Sequence, residues 1–200
     1  MTREEFLDLV AAGEGPGVEF KNPRGAADHN FWEVAKAVLG MANRRDGGLV
    51  LVGVADNRSI EGLSETQVAS WENVDAVRQK LGPFADPFAY VDIQVVDAAA
   101  DGAPGRRCAA IAVQPFDQVP LLCGRAFSSH GREVLRQGAC YVRSRQMPAT
   151  TEIADHAAFR VISILFSEHQ FFRAFSAASA SNAYHFSRQP SAPRTSLKRP

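Results

Sequence analysis

The run Phe31-Trp-Glu-Val-Ala-Lys-Ala-Val-Leu-Gly-Met-Ala42-Asn43 leads directly into Arg-Arg-Asp-Gly47-Gly48-Leu-Val-Leu-Val-Gly53-Val54-Ala55, and two periodicities meet there. In the first half Phe31, Val34, Ala35, Val38, Leu39 and Ala42 fall on one stripe of a 3.6-residue helix, with Asn30 opening it and Glu33 in the capping-box position. In the second half Leu49 to Ala55 is apolar on both faces, as in a covered strand at the centre of a sheet. A helix feeding a central strand excludes a helical bundle and predicts helices layered on a sheet.

Working outward, Thr2-Arg-Glu-Glu5 reads as a capping box, and the helix it opens puts Phe6, Leu9 and Val10 on one stripe before Gly13 stops it. Gly15-Pro16-Gly17 suits a type II turn, in which Gly17 supplies φ > 0. Val18-Glu-Phe-Lys21 then alternates, so Val18 and Phe20 face the core while Glu19 and Lys21 share the other side. Downstream, Ser64-x-x-Gln67 begins a helix expected to reach Leu81. Strands are expected at Tyr90–Val96, Cys108–Gln114 and Ala139–Arg143, and a last helix from Glu152 to about Phe172. The order α-β-α-β-α-β-β-β-α defines an α+β, or mixed α/β, domain over 1–172. Residues 173–200 are rich in Ala, Ser, Pro and Arg and are expected to form a disordered basic tail.

Composition narrows the class further. The chain has 200 residues, 46% hydrophobic and 22% charged, so it has enough apolar material for one ordinary domain. Lys plus Arg and Asp plus Glu are 22 each, but from Ser176 onward there are four basic and no acidic residues. The remainder is therefore mildly acidic, and the tail is basic. No apolar run is long enough to span a membrane, and the N-terminal residues lack the order of a secretory signal. Cys108, Cys123 and Cys140 are odd in number and widely spaced, which disfavours a disulfide framework or a thiolate zinc site and fits the cytoplasm.

Several chemistries are missing. There is no G-x-x-x-x-G-K-[ST], no G-x-S-x-G and no H-E-x-x-H, and the five histidines have no ligand spacing. Gly47-Gly48 and Gly53 suggest a phosphate loop at first sight. They precede a strand, however, so a helix cap followed by a tight turn is the simpler reading. What remains is acidic: Glu14 before the turn, Glu19 on the polar face of the first strand and Asp56 at the exit of the central strand. If those strands are neighbours, the three carboxylates converge at one end of the sheet, where they could hold Mg²⁺ or Mn²⁺. Lys21, beside Glu19, would then neutralise charge on a phosphate. Taken alone, three carboxylates and a lysine are more often solvated strand-edge residues than a catalytic set. A second feature is basic: Arg125, Arg132, Arg136, Arg143 and Arg145 fit either a polyanion footprint or a solvated surface.

These residues carry a resemblance. Glu14-Gly-Pro-Gly-Val-Glu-Phe-Lys21 resembles the E-x-x-x-x-E-F-K opening of the Schlafen AlbA-like domain family. Ala42-Asn43 … Gly47-Gly48-Leu-Val-Leu-Val-Gly53-Val54 resembles its A-N … G-G-x-L-x-x-G-V centre, here one residue longer between Asn43 and Gly47. Asp56, Ile60-Glu-Gly62-Leu63 and Tyr141-Val142-Arg143 continue the likeness, whereas Ala55 stands where the family often has an acidic residue.

The resemblance implies a mixed α/β nucleic-acid-binding domain. By its motifs, Glu14, Glu19 and Asp56 match three carboxylates that cleave structured RNA such as tRNA with Mg²⁺ or Mn²⁺, in a groove formed by paired lobes. This gives as expectations a metal-dependent endoribonuclease with Lys21 supporting the phosphate, Lys21, Arg132, Arg136, Arg143 and Arg145 gripping nucleic acid, RNA favoured over DNA, and a homodimer. The alternatives are a noncatalytic DNA- or RNA-binding module of a transcriptional regulator and, ranked last for want of a P-loop, an ATP-binding protein.

Overall fold

Alternation along the central strands sorts their side chains into two layers. The computed structural model describes residues 1–23, 31–98, 105–117, 119–143 and 149–153. Its first sheet has the order β1-β2-β5-β4, built from β1 (Val18–Lys21), β2 (Gly48–Val52), β4 (Val91–Asp97) and β5 (Arg107–Val113). β1 runs parallel to β2, and β5 runs antiparallel to both β2 and β4. Val50, Val52, Ile111 and Val113 point to one face and join the larger core with α2 (Phe31–Ala42). Leu51, Phe20, Cys108 and Ala110 point to the other face and pack with Phe6 and Val10 of α1 (Arg3–Ala12). The fold is thus α+β, with β2 buried in the middle as its sequence predicts.

Two glycines make the entry to β2 possible. Gly47 has φ +63°, and a Cβ there would lie 2.1 Å from the Val113 carbonyl oxygen. At Gly48 a Cβ would meet Met41 Sδ at 2.2 Å and the Gly17 carbonyl oxygen at 2.9 Å. The G-G pair therefore lets α2 turn tightly into the sheet, as the helix-cap-and-turn reading expects.

A second sheet, of order β10-β9-β6-β3, covers the far end of α2. It comprises β3 (Ala85–Asp86), β6 (Leu122–Cys123), β9 (Cys140–Val142) and β10 (Thr151–Ile153), while β7 (Phe127–Ser129) and β8 (Arg132–Leu135) form a separate hairpin. Asn43, fully buried, joins this sheet to α2. Its Nδ2 donates to the carbonyls of Leu121 (2.8 Å) and Tyr141 (2.9 Å), and its Oδ1 accepts the Leu121 N–H (2.7 Å).

Two of the expected helix starts, the Thr2–Glu5 and Ser64–Gln67 capping boxes, are formed. Three local expectations are corrected. Gly17 does not take the positive φ of a type II turn; the left-handed glycine here is Gly13, which ends α1. The single helix expected to Leu81 is two, α3 (Glu65–Glu72) and α4 (Val74–Leu81), because Asn73 leaves the helical region and caps Ala76 N–H with its side chain. Glu152, expected to open a helix, lies in β10, paired with Tyr141 of β9. The remainder of that helix, the tail and Asn30 lie outside the described residues.

The described cysteines are free and buried, and burial pushes the Cys108 and Cys140 thiols up to about 11. They are neutral thiols at physiological pH rather than nucleophiles. Among the described residues no helix is long and apolar enough to cross a membrane.

Asn43→Ala would strand two carbonyls and one N–H inside the core. We expect a loss of about 3 kcal/mol or more, read as a lower midpoint in urea unfolding. An unchanged midpoint would show that the amide is not what joins the sheets.

Candidate functional site

The parallel pairing of β1 and β2 brings their carboxyl ends side by side, with Lys21 in register with Val52. The N–H groups of Gly53 (2.8 Å) and Val54 (3.2 Å) both donate to the Lys21 carbonyl, so the chain turns toward Asp56 at that end of the sheet. Glu14 arrives from the other side, immediately after α1. Arg58, at φ +70°, fastens the Asp56 turn to this helix end, where its Nη1 donates to the Ala11 carbonyl at 2.9 Å. Gly13 leaves room for that guanidinium, since a Cβ there would lie 2.8 Å from Arg58 Nη2.

The result is a cavity of about 390 Å³ lined by Glu14, Glu19, Lys21, Asp56 and Arg143 together with Gly15 and Ala149. Glu19 is its most constrained member. Lys21 Nζ and Arg143 Nη1 both pair with its carboxylate, and Thr150 Oγ1 donates to Oε2 at 3.2 Å. Arg143 is only 3% exposed in its side chain and also donates to the Gly15 carbonyl at 2.9 Å. Glu14 Oε1 accepts the Phe20 N–H at 2.6 Å. Asp56 is exposed, and its carboxylate has no partner among the described residues. Gly40 of α2 lets this arrangement close, because a Cβ there would lie 2.7 Å from Thr150 Oγ1 and 3.2 Å from Arg143 Cγ.

Three carboxylates and two cations leave the pocket one negative charge in excess. A phosphodiester would meet weak repulsion there unless a cation came with it. The donors are hard oxygens, which suits Mg²⁺ or Mn²⁺. Among the described residues, however, no three acidic, histidine or cysteine side chains are disposed to hold an ion together. What fits is the usual Mg²⁺ mode, in which one or two carboxylates share the ion with water and a substrate phosphate. Glu14 and Asp56 are the carboxylates with oxygens to give, while Glu19 is held by its cations.

The other predicted contacts are dispersed. Arg132 lies on the β7–β8 hairpin, and Arg136, just beyond it, pairs with Glu152 at 2.5 Å; neither lines this pocket. Arg145 lies outside the described residues. Sequence reading missed Arg58 and Thr150, which hold the turn and Glu19 in place. Arg58 in a D-N-R-S turn carried a faint signal, since that turn must fold back on something; Thr150 carried none.

These features define an α+β domain with a mixed-charge pocket at the carboxyl ends of two parallel strands. The sequence model of the Schlafen, AlbA_2 family matches residues 14–148, and the chain belongs to that family, whose domain is associated with nucleic-acid binding. A search of the curated proteins finds no significant match. Among solved structures the chain resembles the DIP2311 protein from Corynebacterium diphtheriae at 18% identity and a TM-score of 0.48, over 76% of this chain and 30% of that one.

Glu19→Gln would leave Arg143 buried with its charge uncompensated, so we expect it to cost about 2 kcal/mol or more. Asp56→Asn, exposed and unpaired, should stay within about 0.5 kcal/mol of the parent. Urea unfolding of both variants checks this; equal stabilities would show that the Glu19–Arg143 pair does not hold the site.

Proposed function

We propose that this domain binds RNA at the Glu14–Glu19–Asp56 pocket and cleaves it with the help of a divalent cation in the cytoplasm. The observation that carries this reading is the convergence of five charged side chains of both signs, from separate segments, on one cavity. A Mg²⁺ or Mn²⁺ ion shared by Glu14, Asp56 and the substrate phosphate would supply charge neutralisation and an activated water. Arg143, Lys21 and Thr150 fix the Glu19 carboxylate, so it is positioned before substrate arrives. Lys21, itself part-buried, presents its ammonium beside the same cavity, where it would stabilise negative charge developing on a phosphoryl oxygen.

Asp56→Asn is the informative variant, because it removes an open carboxylate without disturbing the buried pair. Purified protein incubated with transfer RNA in Mn²⁺ should yield fragments that EDTA abolishes. The variant should cut about 100-fold more slowly while binding RNA at least as well. The full engagement of Glu19 by its cations favours a second reading, a noncatalytic binding module. RNA that is retarded on a gel but left uncut by the wild type would establish that reading and overturn the nuclease.

Away from the pocket, at the opposite edge of the first sheet, an exposed aromatic pair lies beside the outer strand β4. Tyr90 is 65% exposed and Phe88 44%, with their rings edge to face at 6.0 Å. We place a second copy of the chain there. Light scattering at micromolar concentration should return the dimer mass for the parent and the monomer mass for Tyr90→Ser; a monomeric parent would overturn the assignment.

A further inference from the structure

Trp32 joins the carboxylate pocket to an aromatic cleft that the reading above does not use. A cavity of about 260 Å³ lined by Glu19, Lys21, Trp32, Glu33, Lys36 and Thr150 adjoins the site, sharing Glu19 and Lys21 with it. A further cavity of about 270 Å³ shares Trp32 with it, is walled by Trp32, Phe84, Phe127 and Pro83, and is flanked by Lys80 and Arg125. The Trp32 and Phe127 rings are stacked, 22° from parallel with centroids 6.2 Å apart. Both are only partly buried against the main core, so apolar ring surface lines this cleft.

We infer that this cleft receives an unpaired nucleobase of the same strand whose phosphate enters the carboxylate pocket. The inference rests on the nucleic-acid reading and adds the form of substrate, a single-stranded or looped-out segment. Three features carry it. The cleft offers aromatic and proline surface on which any base can stack, whereas a base inside a duplex has both faces covered by its neighbours. Cations mark the way: Lys21 in the first cavity, Lys36 in the second, and Lys80 and Arg125 in the third. Arg125 is exposed on the connection between β6 and β7, and its guanidinium has no hydrogen-bond or ion-pair partner among the described residues, so it remains available to a backbone phosphate. The three cavities also adjoin through shared residues, so one strand can occupy them in succession. Glu33, in the middle, is the one acidic group beyond Glu19 among the described residues that line the path.

The test compares two probes of equal charge: a ten-nucleotide single-stranded RNA and the same backbone with abasic positions, each titrated into the full chain in EDTA and followed by fluorescence anisotropy. The intact strand should bind about tenfold or more tightly than the abasic one, the size expected for one stacked base. Phe127→Ala should remove most of that difference, and Arg125→Ala should weaken both probes alike, with circular dichroism melts showing both variants folded. Equal affinity of the wild type for the two probes would overturn the stacking cleft and leave the nucleic-acid reading standing. A preference for the intact strand that Phe127→Ala does not change would put the base elsewhere and overturn the assignment. Binding of neither probe, nor of transfer RNA, would overturn both readings.

Discussion

Asn43, at the end of α2, commits its whole amide to holding two sheets in one position. Its three hydrogen bonds to Leu121 and Tyr141 are buried, so each is made at the expense of water and none can be lost cheaply. Tyr141 lies two residues before Arg143, and Arg143 crosses to Glu19 on β1. The amide therefore sets where the guanidinium reaches, and through it the orientation of a carboxylate in a different sheet. Gly40 makes the same approach sterically possible from within α2, at a cost of about 1 kcal/mol of helix propensity relative to alanine. Fold and site share this seam.

Much of this was legible in the residues. The apolar stripe of α2, the doubly covered run of β2 and the alternation of Val18–Lys21 read correctly, because each reports burial of its own local segment. The second sheet was harder. Leu122–Cys123 and Ala85–Asp86 are two-residue strands, too short for a period of two to show, and they exist only because their partners are brought to them. Glu152 has a helical flavour that its pairing with β9 overrides. Asn73 could have been read as a cap, since asparagine stops one helix and starts another with the same side chain.

The candidate site divides in the same way. Glu14, Glu19, Lys21 and Asp56 were visible because the motifs single them out; the parallel pairing brings Lys21 beside the exit of β2 toward Asp56, and Glu14 joins them from the end of α1. What could not be read is which charges are engaged. Arg143 looked like a surface contact for nucleic acid, yet it lies within the protein against Glu19. That partnership spans 124 positions and leaves no mark on local spacing. The aromatic cleft beside Trp32 was equally hidden, since its walls come from α2, the turn after α4 and β7.

The contrast between a sheltered ion pair and open carboxylates also divides the pocket's response to dissolved salt. Screening reaches exposed charges within a Debye length of about 8 Å at physiological ionic strength and affects buried pairs far less. Rising salt therefore mutes Asp56 and Glu14, which face solvent, before it touches Glu19 and Arg143. The excess negative charge of the pocket fades while its internal geometry is kept. Salt here tunes how strongly the cavity repels a polyanion without loosening the groups that would act on one, and the two properties are separable because they reside on different residues.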